Sequence, residues 1–368
     1  MNTLLEVRSG PSYYACMASI LDTLEAKLNK ANIRKVLVVH GDKSWVVAEP
    51  FFPSFENVET SYIKYNGECS DIEIERVSKF AVEQCVDALI GVGGGKLLDL
   101  TKSVGNHIQK DIILIPTLAS TCAAWTPLSV IYDTNGSYMR FDIHLKNAWM
   151  LLIEPGILLD SPIAYLRAGI GDTLAKWYEG NALVEKIASK SACIELAHIA
   201  ARQCQEVLLT HGEEALADLK KGKWTDALQR VIETNIVTSG LVGGFGDQFL
   251  RIAGAHSIHN GMTSIEQAHH LLHGEKVAYG ILVQLLLEGK FSDIKQLLPI
   301  YEALKLPRSL SDIGLTVEHE VELQQIAALS VKEGEAIHLL FPDISLEKVQ
   351  AAMENLEILT NQGSNSIN

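Results

Sequence analysis

The stretch DALIGVGGGKLLD, residues 87–99, joins a strand pattern, a glycine turn and the start of a helix. Its apolar first half is typical of a parallel strand that is buried on both faces. Consecutive glycines let backbone amides approach an anion, and the dipole of a following helix favours negative charge. The dinucleotide fingerprint fails at Lys96 and the phosphate-loop motif fails at Ile90, because each motif needs glycine there. The segment therefore either cradles a phosphate group or makes a tight turn without a ligand.

The strand pattern recurs on both sides of this segment. Lys35–His40 and Asp111–Pro116 are short apolar runs that also predict buried parallel strands. Residues 70–86 predict a helix, with Ser70 as its N-cap and Glu73 at the capping-box position. Alternating strands and helices predict an α/β domain with a mainly parallel sheet.

Strand patterns end near Asp160. Amphipathic helical patterns then cover residues 164–183, 189–209, 224–242, 248–260, 276–287, 293–304 and 346–359. We therefore predict an α/β domain over residues 1–160 and an all-helical domain over residues 161–368.

The composition excludes several classes of partner. A net charge of -14 argues against nucleic acid and anionic membranes as partners. Six scattered cysteines without a CxxC pair fit a reducing cytosol better than a zinc finger or a disulfide framework. The N-terminus lacks a signal-peptide pattern, and the apolar run at residues 277–287 is too short to span a bilayer. We expect a soluble, cytoplasmic protein.

Histidines concentrate in GAHSIHNGMTSIEQAHHLLHGEKVAYG, residues 254–280, which holds five of the twelve in the chain. His256 and His259 are three residues apart in a helical pattern and share a face, and His273 opens the next helix. Neutral imidazole is the commonest side-chain ligand of transition metals. Spacing alone leaves two alternatives open: a metal site, whose further ligand comes from elsewhere, or hydrogen-bonded structural histidines.

Asp42 lies just after the first core strand. A carboxylate at such a position can bind a ribose diol and repel a 2′-phosphate, which favours NAD over NADP. The alternative is a helix N-cap, and the two roles are compatible.

Four blocks of the chain resemble one known family. They are residues 93–99, 116–121, 168–179 and 255–280, and their order and spacing match from about residue 5 to about residue 360. The chain resembles the iron-containing (group III) alcohol dehydrogenase superfamily, in particular its glycerol dehydrogenase branch. Residues 120–132 are especially similar to bacterial hydroxycarboxylate dehydrogenases of this branch, which reduce 2-oxo acids.

The resemblance implies a dehydroquinate synthase-like fold, with a nucleotide-binding α/β domain, a metal-binding helical domain and an active site in the cleft between them. It implies that Asp172, His256 and His273 bind a divalent metal, with His259 beside them as a support or proton relay. The iron-using branch has a histidine where this chain has Lys176. Three protein ligands and an open position suit catalytic Zn²⁺, while Fe²⁺ or manganese remains an alternative.

The resemblance also assigns a wall for the NAD(P) cofactor. Residues expected to face the pyrophosphate and the nicotinamide ribose are Gly94, Gly95, Lys96 and Asp99. Residues expected to line the track from adenine to nicotinamide are Thr117, Ser120, Thr126, Leu128 and Tyr132. Leu128 fits a core position equally well, and Thr117 could merely end a strand.

The substrate contact departs from the glycerol dehydrogenase pattern. Those enzymes have an aspartate at the position of Cys122, where it touches the substrate. A neutral thiol would no longer repel a carboxylate, and Trp125 adds apolar bulk nearby. Both residues favour a 2-oxo acid or a less polar ketone over glycerol.

We therefore expect a metal-dependent oxidoreductase that transfers a hydride between NAD(P)(H) and a small alcohol or carbonyl. The expected substrate is a 2-hydroxy or 2-oxo acid, or a small polyol. The hydroxycarboxylate relatives leave NADP open as the cofactor. A lyase or cyclase of dehydroquinate synthase type, or a non-catalytic metal-binding protein, would also fit the sequence. Family members are often homo-oligomers, so we expect at least a dimer.

Overall fold

The computed structural model describes residues 5–134 and 136–364 of the chain. The described residues form two compact units. An α/β unit consists of Arg8–Pro162 and Lys221–Trp224, and a helical unit contains the other described residues. The main crossing of the chain from one unit to the other falls between Pro162 and Ile163, next to the boundary expected from the sequence.

Eight strands are found in the described part of the α/β unit. They are β1 (Tyr13–Cys16), β2 (Lys35–His40), β3 (Glu59–Lys64), β4 (Ala88–Gly93), β5 (Asp111–Pro116), β6 (Leu128–Tyr132), β7 (Tyr138–Ile143) and β8 (Met150–Ile153). Six of these described strands form one parallel sheet in the order β1-β8-β5-β4-β2-β3. The other two, β6 and β7, pair as an antiparallel hairpin.

The α-helices of this unit are α1 (Leu24–Lys30), α2 (Asp42–Ala48), α3 (Asp71–Glu83), α4 (Gly95–His107) and α5 (Pro155–Leu159). Every residue of β4 is buried, as expected for a central parallel strand covered by helices on both faces. Strands β2, β4 and β5 and helix α3 confirm the predicted alternation. Ser70 caps α3 by accepting a hydrogen bond from the backbone N–H of Glu73. The capping box is one-sided, because the Glu73 carboxylate binds Arg76 and Asn66 instead.

The helical unit contains the α-helices α6 (Ile163–Val184), α7 (Ala192–Lys220), α8 (Asp226–Glu233), α9 (Ser239–Gly246), α10 (Gly254–Met262), α11 (His273–Leu287), α12 (Phe291–Leu304), α13 (Glu320–Ser330), α14 (Ile337–Leu340) and α15 (Leu346–Ser364). A parallel α/β unit followed by a helical unit confirms the predicted fold class.

Two helix predictions are wrong in detail. The helix expected over residues 224–242 is interrupted by a π-helical turn at Thr234–Thr238. The helix expected from residue 248 begins only at Gly254. The chain makes only a short 3-10 turn at Asp247–Phe249, and its backbone is not helical at Leu250 (φ -134°) or at Ala253 (φ -149°, ψ -124°), so an α-helix can begin only after Ala253.

Candidate metal centre and glycine loop

Asp172 of α6, His256 of α10 and His273 of α11 come together inside the helical unit. Asp172 Oδ1 lies 3.4 Å from His256 Nε2 and 3.3 Å from His273 Nε2. All three ligand atoms lie within 4.8 Å of one another. The structure thus brings together the three residues that the resemblance implied, and in the described part of the chain no other cluster of this kind is found.

Glycines bring the three helices close enough to do this. A side chain at Gly274 would collide with the carbonyl oxygen of Ala168, and one at Gly171 would collide with the carbonyl oxygen of Gly274. Backbone therefore packs directly on backbone where α6 crosses α11, one residue from Asp172 and one from His273. Gly280 allows the same close approach between α11 and α10 at Ala255.

The trio fits a divalent transition metal. Asp172 is 4% exposed, and its Oδ1 has no hydrogen-bond partner although it is buried. A carboxylate oxygen and two imidazole nitrogens are the donor set of catalytic zinc sites. Two ligands at zinc–ligand distances in a tetrahedron are roughly 3.3–3.4 Å apart, which matches the measured spacing of Asp172 to each histidine. The His273 side chain is 45% exposed, so one side of the trio is open.

The electrostatics keep Asp172 anionic. Burial opposes its ionisation, but the Lys176 ammonium and the two imidazoles outweigh burial and hold the pKa of Asp172 well below its usual value. For His256, burial lowers the pKa while Glu179 and Asp172 raise it, and the balance lies at about 9. A metal ion that binds here would therefore displace a proton from His256. Lys176 is 7% exposed and presents an ammonium group, which has no lone pair for a metal.

His259 lies beside the trio and outside the ligand set. Its Nε2 is 2.9 Å from His273 Nδ1, and its Nδ1 is 3.1 Å from Asn260 Oδ1. Burial, followed by the charges of His273 and His256, holds the pKa of His259 well below its usual value. A neutral His259 can accept a hydrogen bond from His273 Nδ1 and keep the Nε2 atom of His273 free for a metal.

Glu179 is a site residue that the sequence patterns alone did not single out. It is 1% exposed, and its carboxylate lies 2.7 Å from His256 Nδ1. A signal was present: Asp172, Lys176 and Glu179 are spaced to share one face of a helix that is largely apolar.

The glycine loop lies at the start of α4. Gly94 is the N-cap of α4 and Gly95 is its first residue. A side chain at Gly94 would press on Leu118, and one at Gly95 would lie 3.3 Å from Thr121 Oγ1. The Lys96 ammonium binds Glu68 at 2.6 and 2.7 Å and lies 4.4 Å from the centre of the Tyr132 ring. The structure thus brings Lys96 and Tyr132 together, with Glu68 as an anion that the sequence did not indicate.

Asp99 points into the unit. It is 5% exposed, its Oδ1 lies 2.8 Å from Lys102 Nζ, and its Oδ2 accepts the N–H of Val130 at 3.0 Å. Lys102 in turn donates to the carbonyl oxygens of Ala123, Thr126 and Leu128. The Asp99–Lys102 pair thereby holds the segment that carries the predicted cofactor residues Thr126 and Leu128. A direct contact of Asp99 with a nucleotide stays a prediction.

Asp42 is the first residue of α2, and the N-cap is Gly41, so the N-cap alternative for Asp42 is wrong. Its carboxylate is paired with Lys64 at 2.5 Å, at the end of the neighbouring strand β3. Thr117 follows β5, is buried, and donates its backbone N–H to Gly93 at 3.0 Å. Ser120 is half-buried in the loop that follows.

The two predicted substrate residues differ in their surroundings. Cys122 is half-buried, and its carbonyl oxygen accepts the N–H groups of Trp125 and Thr126. The indole of Trp125 is 9% exposed, donates to the carbonyl of Ser9 at 2.8 Å and packs edge-on against Tyr14. Trp125 therefore has a structural role inside the α/β unit, and its contact with substrate stays a prediction.

Known proteins resemble the chain in sequence and in fold. The family model for iron-containing alcohol dehydrogenases matches residues 11–152. Hydroxycarboxylate dehydrogenase A of Escherichia coli strain K12 is 34% identical over 356 residues, which cover 96% of this chain and 98% of that protein. Glycerol dehydrogenase of Thermotoga maritima is 36% identical over 334 residues, covering 89% of this chain and 90% of that protein. The crystal structure of a probable glycerol dehydrogenase from Sinorhizobium meliloti 1021 has a TM-score of 0.86 at 28% identity, over 97% of this chain and 99% of that one.

These similarities define an oxidoreductase that acts on alcohol groups. The chain belongs to the iron-containing alcohol dehydrogenase family, as the resemblance predicted. Proteins of this family bind a metal and NAD. Across residues 5–134 and 136–364, none of the helices combines the length and the apolar character needed to cross a bilayer.

Proposed function

We propose that the chain is a zinc-dependent oxidoreductase that interconverts a 2-oxo acid and a 2-hydroxy acid with NAD(H). The convergence of Asp172, His256 and His273 on one point, with one side open, carries this proposal. In the reducing direction the carbonyl carbon takes a hydride from NADH and the oxygen takes a proton. The products are NAD⁺ and the alcohol.

The chain's residues have distinct tasks in this proposal. A divalent metal, when bound, supplies Lewis acidity that polarises the substrate carbonyl. Asp172 supplies the anionic ligand, and His256 and His273 direct their Nε2 atoms towards it. His259 Nε2 accepts a hydrogen bond from the N–H at His273 Nδ1 and so keeps that ring in place. The amides at Gly94 and Gly95 and the Lys96 ammonium would hold the pyrophosphate of the nucleotide when it binds.

Cofactor choice rests on Asp42. Its carboxylate can accept hydrogen bonds from a ribose diol and would repel a 2′-phosphate, whereas Lys64 cancels part of that charge. We expect faster initial rates with NADH than with NADPH. In an Asp42→Asn variant we expect the ratio of the NADH rate to the NADPH rate to fall towards one. A strong NADPH preference in the unsubstituted protein would refute this assignment.

Lys276 supports a substrate that carries a carboxylate. It is 8% exposed and lies on α11, one turn after His273, where its charge helps to lower the pKa of His259. Among the residues that the structure describes, we find no carboxylate paired with it, and a buried ammonium is costly without an anion. A substrate carboxylate would supply that anion, and a glycerol hydroxyl would not.

Glycerol is the second candidate substrate, because several relatives are named glycerol dehydrogenases. A panel of 2-oxo acids, dihydroxyacetone and uncharged aldehydes, scored by NADH oxidation with and without zinc, separates the two. We expect zinc-dependent turnover that is fastest with 2-oxo acids, and a Lys276→Met variant whose KM rises for oxo acids but not for aldehydes. Turnover of dihydroxyacetone alone would favour glycerol. Consumption of substrate without net NADH oxidation would favour a lyase.

A further inference from the structure

Glu179 is a buried carboxylate that the proposed reaction does not use. It projects from α6, two turns after Asp172, and it is 1% exposed. Its Oε2 lies 2.7 Å from His256 Nδ1. Its Oε1 accepts the backbone N–H groups of Ala253 at 2.8 Å and of His256 at 2.9 Å.

We propose that Glu179 is a positioning residue that fixes both the tautomer and the placement of His256 for metal binding. The inference rests on the proposed metal role of Asp172, His256 and His273. A neutral imidazole has one N–H and one lone pair. An ionised carboxylate can only accept, so the proton must lie on Nδ1 and the lone pair on Nε2. That lone pair is the one that faces Asp172 Oδ1.

The same carboxylate holds the helix from which His256 projects. The first N–H groups of a helix have no partner within the helix, and an anion there also meets the positive end of the helix dipole. Glu179 accepts two such N–H groups at the start of α10. One helix, α6, therefore supplies one ligand directly through Asp172 and sets a second ligand through Glu179.

The backbone contacts make Glu179→Gln a sharp test. Two N–H donors face Oε1, so the glutamine must place its carbonyl oxygen there. Its NH₂ group then faces His256 Nδ1 and donates to it. That hydrogen bond favours the tautomer with the proton on Nε2, which has no lone pair for a metal. The variant keeps the size and the two helix contacts of Glu179 but selects the wrong tautomer.

The experiment measures zinc affinity on metal-stripped, full-length protein by competition with a chromophoric chelator. We expect Glu179→Gln to bind zinc about 10- to 100-fold more weakly than the unsubstituted protein. We also expect an altered absorption spectrum with cobalt in place of zinc. Asp218→Asn is the matched control, because Asp218 is a buried carboxylate of the same unit that binds Thr225. It should leave zinc affinity unchanged.

Equal zinc affinity and an unchanged cobalt spectrum in Glu179→Gln would overturn the inference. If that variant fails to fold, ¹⁵N chemical shifts of the histidine rings in the zinc-loaded unsubstituted protein decide instead. A proton on Nδ1 of His256 supports the inference, and a proton on Nε2 refutes it. Failure of the unsubstituted protein to bind zinc would refute the proposed function itself, which is a different outcome.

Discussion

At the residue scale, Asp172 combines burial, charge and an unsatisfied oxygen. Its Oδ1 faces two imidazole nitrogens at 3.3 and 3.4 Å without making a hydrogen bond. A buried polar atom without a partner costs stability, so it is retained where a ligand completes it. Lys176, one turn further along α6, offsets part of the negative charge. Asp172, the two imidazoles and Lys176 thus form one electrostatic group, although the imidazoles are far from the other two residues in the sequence.

Asp172→Asn tests this group. The amide lacks the negative charge, so we expect zinc affinity to fall by at least about 100-fold and zinc-dependent turnover to be lost with it. The fold should be kept, because the amide has nearly the same shape. Equilibrium dialysis, turnover assays and circular dichroism check the three parts. Asp226→Asn, an exposed change in the same unit, is the control, and undiminished turnover in metal-free Asp172→Asn protein would contradict the assignment.

At the element scale, polar side chains inside the α/β unit decide where its loops lie. The Lys102 ammonium of α4 is 1% exposed and contacts Asp99 and three backbone carbonyls of residues 123–128. His144, just after β7, is bonded to Ser129 of β6 at 2.8 Å. Ser129 also donates to the carbonyl of Asp99 at 2.8 Å. The hairpin and the loop before it are therefore tied to the helix that follows the glycine loop.

Removal of the buried ammonium should loosen that loop. Lys102→Met leaves Asp99 as an unpaired buried charge, and we expect a loss of about 3–5 kcal/mol in stability together with weaker NADH binding. Urea unfolding measures the loss of stability. Hydrogen exchange in β4 and β5 is a second measurement of it. Asp99→Asn added to Lys102→Met should recover part of it, whereas Lys79→Met on the surface should change little. A loss below about 1 kcal/mol would show that the pair is dispensable.

His144 should make the α/β unit sensitive to mild acid. Burial, and then the charge of Lys102, lowers the pKa of His144 from 6.5 to about 4, while Asp142 opposes the shift. As the pH falls, the His144 imidazole in the unfolded chain therefore binds a proton near pH 6.5. In the folded unit it binds that proton only near pH 4. Stability from this residue is present above pH 6.5 and falls, by roughly 3 kcal/mol at most, as the pH drops to about 4.

Comparison with His144→Gln isolates this effect from the titration of carboxylates. The glutamine amide can donate to Ser129 and does not titrate. We expect the free energy of unfolding of the unsubstituted protein to fall more steeply between pH 6.5 and pH 4 than that of the variant. Parallel curves would show that His144 is protonated normally in the folded state.

At the scale of the whole molecule, the metal trio belongs to the helical unit and the glycine loop to the α/β unit. Each of these groups of residues is assembled within a single unit. A ligand that binds only the folded state stabilises the elements that form its site, by about 2.7 kcal/mol at a concentration 100 times its dissociation constant. Zinc and NADH should therefore stabilise different parts of the chain.

Hydrogen exchange of the full-length protein tests this division. We expect zinc alone to slow exchange in α6, α10 and α11, and NADH alone to slow exchange at residues 93–99 and in the loop after β5. Asp172→Asn should abolish the response to zinc and keep the response to NADH. Protection by zinc alone at the glycine loop, without protection in α11, would contradict the assignment.

The sequence by itself determined the alternation of strands and helices, the helical second half and the concentration of histidines in residues 254–280. Strands β2, β4 and β5 were recognisable because strands buried on both faces are continuously apolar. The short β1 and the largely polar β3 lack that pattern, so they could not be predicted from it. Asp172 came from the family resemblance, because the polar face that it shares with Lys176 and Glu179 does not by itself indicate a metal ligand.

Only the tertiary structure decided that residues 172, 256 and 273 meet, and that Glu179 and Lys102 are buried anchors. The physical reason is that these contacts join segments far apart in the chain. They depend on helices crossing at Gly171, Gly274 and Gly280, where a side chain would clash. Local propensity and periodicity act over a few residues and cannot specify which distant backbones touch. The sequence specifies the chemical nature of the ligand side chains, and the packing of the helices brings them together.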